Sequence, residues 1–206
     1  NIESLYSNIL DDNGIPISNF TVDFNSLTEN NSDCIGWIRI NGTNISYPIV
    51  QTVDNDFYLT HNINKEKNGA GSIFADYRNN FDILDQNTII YGHNRRNGSM
   101  FSNLKYYLDT EFCSNKNYQY FNFYTVKQKY LAEIFSIYKI TSEKISINPN
   151  YESESDFKEA IAIWKNKSIY DFNSDVSESD KIITLYTCDN NTNYRILIHA
   201  KLIPIE

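Results

Sequence analysis

Cys188, His93 and Arg195 are the residues whose types could together support acyl transfer. Cys188 ends an apolar segment and precedes a polar loop, where a thiol is partly accessible, as a nucleophile must be. His93 follows another apolar segment, and Gly92 before it permits a sharp turn that suits a proton-transfer group. Arg195 opens the segment after the Cys188 loop, and its guanidinium could donate paired hydrogen bonds to a carbonyl or an oxyanion.

Each of these residues also has an ordinary interpretation. Cys188 could be a small hydrophobe that closes a strand, His93 a surface histidine in a turn, and Arg195 a solvent-facing cation. Taken singly, the residues leave both interpretations open. The other histidines are weaker candidates, because His61 has no chemical neighbours in its segment and His199 is interpreted as structural. The sequence has no Gly-x-Ser-x-Gly elbow, P-loop, HExxH or EF-hand pattern.

The elements that must position these residues are mainly strands. β-branched and aromatic runs separated by turn signals, such as Asn41-Gly42, favour a barrel or a sandwich. Helical spacing predicts helices over 1–10, 99–108 and 155–167, whereas the polar stretch 11–33 is predicted to be a loop. The predicted strands are 35–40, 45–50, 72–75, 87–91, 118–124, 129–140, 181–187 and 194–203.

Composition narrows the class of protein. The chain has 206 residues, which suits one domain, and a formal net charge of −8, which argues against a nucleic-acid binder. Three cysteines at wide spacing are neither a disulfide framework nor a zinc site, although one pair plus one free thiol is possible. No run of 18 apolar residues spans a membrane. The first residue is Asn, which we interpret as following a removed segment.

Several segments together resemble the sortases, and most closely class B. The segment TLYTC (184–188) followed by Arg195 resembles the sortase TLxTC…R signature, and YGHN (91–94) with GSMF (98–101) resembles the class B histidine segment. The stretch from DNDFYLTHN to GAGSIFADYRN (54–79) is also similar to class B, as is a helix at 155–167 before the penultimate strand. The resemblance covers about residues 35–203.

The resemblance implies a fold, a reaction and a place of action. The fold would be the eight-stranded sortase β-barrel over 34–206 with flanking helices, preceded by an N-terminal helix and connection over 1–33. The enzyme would be a cysteine transpeptidase on the extracellular face of a Gram-positive membrane, held by an N-terminal anchor absent from this chain. It would cleave a sorting signal of the kind Asn/Ser/Pro-Pro-x-Thr-Asn/Gly after Thr and join the Thr carboxyl to a peptidoglycan amine. No metal or cofactor is implied.

The resemblance also assigns roles to single residues. Cys188 as thiolate would attack the Thr carbonyl, His93 would protonate the leaving amine, and Arg195 would hold the carbonyl or oxyanion. The substrate-binding residues would be Asn55, Leu59, Tyr91, Tyr186 and Asp189. Leu59 and Tyr91 could instead be packing residues. Tyr186 stands where many class B members carry Ser, which narrows the groove, and Asp189 could orient Arg195 or the incoming amine, or be solvated.

Two other functions stay open from the sequence. The first is a cysteine peptidase of the same fold that releases its product to water. The second is a β-barrel binding module without enzymatic activity, whose Tyr-rich surface does the recognition.

Overall fold

The chain folds into a closed β-barrel. The structure is a computed structural model that describes residues 1–141, 146–188 and 193–206. For Cys188 it describes the main chain only. Eight strands close in the order β1-β2-β3-β4-β7-β8-β6-β5, which decides for the barrel over the sandwich. The strands are β1 Cys34–Ile40, β2 Ser46–Val50, β3 Ile73–Ala75, β4 Asn87–His93, β5 Tyr120–Thr125, β6 Lys129–Thr141, β7 Lys181–Cys188 and β8 Tyr194–Ile205.

The barrel interior is filled by aliphatic and aromatic side chains. In β1 buried and half-buried residues alternate, because successive side chains of a strand point to opposite faces. Asn41-Gly42 makes the predicted tight turn into β2, and Gly42 supplies a φ of +74°. β2 pairs with β3 and β4 pairs with β7 in parallel, whereas the other neighbouring strands are antiparallel.

Helix α4 covers the outside of the barrel. In the described part of the chain, the α-helices are α1 Ile2–Asn8, α2 Phe24–Asn30, α3 Thr110–Ser114 and α4 Glu154–Lys167. α4 lies between β6 and β7 in the chain, as predicted, and Ser153 caps its N-terminus through a side chain that accepts from the Asp156 amide. Its buried residues Phe157, Ile161 and Trp164 pack in one cluster with residues of β6, β7 and β8. α4 therefore closes a second, smaller core outside the barrel.

The N-terminal segment differs from its prediction. α1 is present, and Tyr6 and Ile9 pack with Leu131 and Ile205 of the barrel. The loop predicted over 11–33 contains α2, so that prediction was wrong there. α2 has no buried residue, and Asp23 caps it by accepting from the Ser26 amide. A helix that buries so little leaves no apolar periodicity to detect.

The predicted helix at 99–108 is a 3₁₀ helix over Ser102–Leu108. Met100 has a φ of +59°, a left-handed conformation that an α-helix starting at 99 does not accommodate. Further 3₁₀ helices cover Ile17–Asn19, Phe57–Leu59 and Lys116–Gln119. Among the described residues, no helix combines the length and apolar character needed to cross a bilayer.

Candidate active site

The three candidate catalytic positions lie at one end of three neighbouring strands. β4 and β7 are parallel, and their register places His93 opposite Cys188. β7 and β8 are antiparallel with Tyr186 opposite Leu197. β7 continues two residues beyond that pair to Cys188, and Arg195 lies two residues before Leu197 in β8. The fold thus brings the backbones of positions 93, 188 and 195 together from segments far apart in sequence.

His93 is held by its ring and by its main chain. Its side chain is buried, with 7% of the residue exposed, and Nε2 lies 2.7 Å from the carbonyl oxygen of Leu59. Its own carbonyl accepts from the Phe101 amide at 2.9 Å. Leu59 ends the 3₁₀ helix in the β2–β3 connection. That connection therefore positions the imidazole.

Arg195 is the second residue of β8 and is half-buried. Its Nη1 donates to the carbonyl of Tyr194 at 3.0 Å. The next residue, Ile196, donates its amide to Thr187 Oγ1 at 2.9 Å, a buried bond between the ends of β7 and β8. The Arg195 guanidinium is therefore attached to a backbone that is held in place, and an oxyanion donor must be held in place before the reaction.

Two predicted substrate-binding residues form an aromatic wall beside these positions. Tyr91 and Tyr186 lie opposite each other in β4 and β7, and their rings meet edge to face with centroids 5.2 Å apart. Tyr91 also contacts Phe74, at 5.2 Å between centroids. Both tyrosines are half-buried. Each tyrosine can therefore pack against its neighbour and still expose part of its side chain to a groove.

The other predicted groove residues lie in the β2–β3 connection or beyond the described segments. Asn55 and Leu59 are half-buried there. The Leu59 carbonyl contacts His93, whereas Asn55 accepts from the Tyr77 amide at 2.9 Å. Asp189 lies outside the described residues.

Sequence reasoning did not identify Asp76, which joins two of these residues. The Asp76 side chain has 0% exposure, and its carboxylate accepts from Arg78 Nε at 2.8 Å, from Tyr91 Oη at 2.8 Å and from Asn55 Nδ2 at 3.3 Å. Burial by itself raises the pKa of Asp76, but the hydrogen bonds from Arg78 and Tyr91 hold it below its ordinary value. The carboxyl is therefore ionised at neutral pH. Asp76 and Arg78 occur in the class B-like stretch, which was the only sequence signal for them.

The other two cysteines are unsuited to nucleophilic chemistry. Cys34 and Cys113 are buried and form no disulfide. Burial raises the pKa of both thiols, that of Cys113 to about 11, so both stay protonated at neutral pH. Within the described part of the chain, no three His, Cys, Asp or Glu residues converge as metal ligands would.

Comparison with known proteins agrees with this architecture. The sortase domain family matches residues 38–203. Sortase B of Listeria monocytogenes is 44% identical over 176 residues, which are 84% of this chain and 71% of that protein. Sortase B of Staphylococcus aureus is 35% identical over 186 residues, which are 89% of this chain and 75% of that protein.

The solved structures that this chain resembles are also sortase B structures. A Bacillus anthracis protein similar to sortase B superimposes with a TM-score of 0.83 at 38% identity, over 89% of this chain and 83% of that one. The S. aureus sortase B–substrate complex has a TM-score of 0.84 at 34% identity, over 89% and 85% of the two chains. Sortase B of Clostridium perfringens has a TM-score of 0.82 at 37% identity, over 88% and 100%. The chain therefore belongs to the sortase family, as a class B member and a sortase-type cysteine transpeptidase.

Proposed function

We propose that this transpeptidase cleaves a C-terminal sorting signal after Thr and transfers the Thr carboxyl to a peptidoglycan amine through a thioacyl-enzyme intermediate. The observation that carries the proposal is the register that sets His93 opposite Cys188, with Arg195 as the second residue of β8, the strand on the other side of β7. The cysteine, imidazole and guanidinium expected for this chemistry are thus supported by one end of the sheet.

In the first half-reaction, the Cys188 thiolate attacks the Thr carbonyl carbon. A C–S bond forms, the scissile C–N bond breaks, and the imidazolium of His93 gives its Nδ1 proton to the leaving amine. Arg195 stabilises the oxyanion of the tetrahedral intermediate through its N–H donors.

In the second half-reaction, an amine of peptidoglycan or its precursor attacks the thioester carbon. A new C–N bond forms, the C–S bond breaks and the thiolate of Cys188 leaves. The neutral imidazole of His93 takes the amine proton at Nδ1, which restores the starting protonation state. The S. aureus neighbour was solved as a complex with its substrate, and substrate binding is also expected here. The reaction would take place on the extracellular face of a Gram-positive membrane.

The substrate groove is proposed to be lined by Asn55, Leu59, Tyr91 and Tyr186. All four are half-buried and lie on β4, β7 or the β2–β3 connection that contacts His93. Asp189, directly after the nucleophile, is proposed as a fifth contact from the sequence alone.

A peptide-library assay tests this function. Sorting-signal peptides are incubated with the enzyme, with and without a primary amine, and the products are weighed by mass spectrometry. We expect cleavage after Thr, an amine-dependent mass for the acyl product, and no cleavage by Cys188→Ala, whereas the control Cys34→Ala stays active. Cleavage that persists in Cys188→Ala overturns the nucleophile assignment, and an acyl product that is always the free acid indicates a hydrolytic peptidase.

A further inference from the structure

The carboxylate of Asp76 connects three segments beside the candidate active site. It accepts from Asn55 in the β2–β3 connection and from Tyr91 in β4, and it is paired with Arg78 just after β3. Removing a carboxylate from water is costly unless hydrogen bonds replace the lost solvent. Here two of the replacing donors are residues proposed to line the substrate groove.

The bond to Asp76 fixes the role of the Tyr91 hydroxyl. An ionised carboxylate can only accept, so the Tyr91 hydroxyl donates its single hydrogen to Asp76 Oδ2 over 2.8 Å. A phenolic oxygen whose hydrogen is committed offers lone pairs to any other partner. Tyr91 is therefore a hydrogen-bond acceptor towards a ligand, two residues before His93 on the same strand.

Asn55 is oriented by the same carboxylate. Its Nδ2 donates to Asp76 Oδ2 at 3.3 Å, and its Oδ1 accepts from the Tyr77 amide at 2.9 Å. These two bonds are incompatible with the flipped amide, which would place an oxygen against the carboxylate. The orientation of Asn55 is thus set by Asp76.

Arg78 extends the connection to the segment before α4. Its Nε and Nη2 bind the two Asp76 oxygens at 2.8 Å each, as a planar guanidinium fork allows. The same Nη2 reaches the carbonyl of Ile147 at 3.3 Å. Asp76 is thereby linked to the β6–β7 connection as well as to β4.

We propose that Asp76 is a positioning residue for the substrate, which makes Tyr91 an acceptor and so selects a peptide or carboxamide N–H donor at that point of the groove. The inference rests on the proposed function, since it concerns the substrate of that reaction. A substrate group that could only accept would face lone pairs at Tyr91, which is unfavourable in a partly desolvated groove.

The chain contains a second aspartate–arginine pair, with a less deeply buried carboxylate, that serves as a control. Asp11 accepts from Arg39 Nη2 at 3.0 Å and from the amides of Asn13 and Ile15. None of these residues has a proposed part in the reaction. Asp11→Asn therefore shows what the loss of such a pair does to stability alone.

The first test is a double-mutant cycle with Asp76→Asn and Tyr91→Phe, in which kcat, KM and Tm are measured with a sorting-signal peptide. We expect each single variant to raise KM about 10-fold with a smaller change in kcat. Because Asp76 acts in part through Tyr91, the double variant should raise KM by clearly less than the product of the two single effects. Asp11→Asn should lower Tm and leave kcat and KM unchanged. A KM effect of Asp76→Asn that is fully retained in the Tyr91→Phe background overturns the proposal.

The second test uses N-methylated peptides, in which one N–H donor is removed at a time. Wild-type enzyme should lose about 10-fold in kcat/KM at one position, and Tyr91→Phe should lose little at that position. Tyr91→Phe leaves the Asp76–Arg78 pair intact. This test can therefore be made with Tyr91→Phe even if Asp76→Asn does not fold. Equal sensitivity of wild type and Tyr91→Phe at every position overturns the proposal. The proposed function is instead overturned by cleavage in Cys188→Ala or by an acyl product that is always the free acid.

Discussion

His93 Nε2 lies 2.7 Å from the carbonyl oxygen of Leu59. A carbonyl oxygen only accepts, so Nε2 carries a hydrogen in both the neutral and the protonated imidazole. The nitrogen that gains and loses a proton in the proposed reaction is therefore Nδ1. The Leu59 carbonyl acts on His93 as an orienting acceptor, a role that a side chain fills in many other catalytic sites.

Replacing His93 by Gln separates the position of the ring from its proton transfer. The Gln amide can still donate to the Leu59 carbonyl, but it cannot exchange a proton near neutral pH. We expect kcat to fall about 10²- to 10⁴-fold while Tm stays near the wild-type value. Steady-state kinetics and thermal unfolding measure the two quantities. A His93→Gln enzyme with more than a tenth of the wild-type kcat would exclude His93 as the proton-transfer group.

Gly71 packs directly against the main chain that carries the Leu59 carbonyl. Its φ is +61°, and a Cβ at this position would lie 2.5 Å from the Tyr58 oxygen and 2.8 Å from the Leu59 oxygen. Gly71→Ala should therefore displace the carbonyl that orients His93 and lower kcat/KM at least about 10-fold, since small misplacements of a catalytic group are costly.

Gly14→Ala is the matched control for this variant. Gly14 has a φ of +72°, but a Cβ there meets nothing within 4 Å. It should lose about 1 kcal/mol of stability from backbone strain and keep its activity. Equal kcat/KM in the two variants would show that the position of the Leu59 carbonyl does not matter for the reaction.

Arg195 should be replaceable neither by Ala nor by Lys. Arg195→Ala removes the proposed oxyanion donor, for which we expect a 10²- to 10³-fold loss in kcat. Arg195→Lys keeps the charge but lacks the planar fork, so it should recover little. Arg39→Ala, which removes an arginine paired with Asp11, serves as the control and should retain the wild-type kcat. Full activity in either Arg195 variant would remove this residue from the mechanism.

The strands could be predicted from sequence because their signals are local, whereas the candidate catalytic residues were singled out by the combination of distant motifs. Alternation and turn residues such as Asn41-Gly42 indicate a strand without knowledge of its partner. The parallel pairing of His93 with Cys188 is a different case. It depends on the β6–β7 connection returning β7 beside β4, which the residues alone do not specify and which only the resemblance implied.

Asp76 could not be found by the same reasoning. Its importance arises from Asn55, Arg78 and Tyr91, which come from separate segments and converge only in the folded barrel. An acidic residue that directly follows a short apolar strand is ordinarily exposed. Nothing local marks this one as fully buried.

The fold explains why His199, which is interpreted from the sequence as structural, is a buried packing residue. Thr184 Oγ1 gives its hydrogen to Asn87 Oδ1 at 2.7 Å, so it accepts from His199 Nδ1 at 2.8 Å. Nε2 then accepts from Tyr138 Oη at 2.9 Å, and the Trp164 ring of α4 stacks on the imidazole with centroids 4.1 Å apart. His199 is thus held neutral, and burial, followed by the nearby Lys167, lowers its pKa well below 6.5.

Because His199 is neutral in the folded protein, we expect stability to start falling at a pH well above that at which carboxylates titrate. Below about pH 6.5 the unfolded chain binds a proton at His199 that the folded protein does not bind. The free energy of unfolding should therefore be unaffected above pH 6.5 and fall by up to about 1.4 kcal/mol per pH unit below it. The lowered pKa of Asp76 acts in the same direction only near and below pH 3.8, where its stabilisation is lost.

Urea unfolding between pH 7.5 and 4.5 measures this slope. His199→Gln cannot take up the proton, so it should be less stable at pH 7.5 but show a flatter dependence between pH 6.5 and 4.5. The difference between the two slopes isolates His199 from the carboxylates, which titrate in both proteins. Because α4 stacks on this ring through Trp164, the tryptophan fluorescence should report the same transition. Parallel slopes for wild type and His199→Gln would show that the folded protein binds the proton at His199 as readily as the unfolded chain.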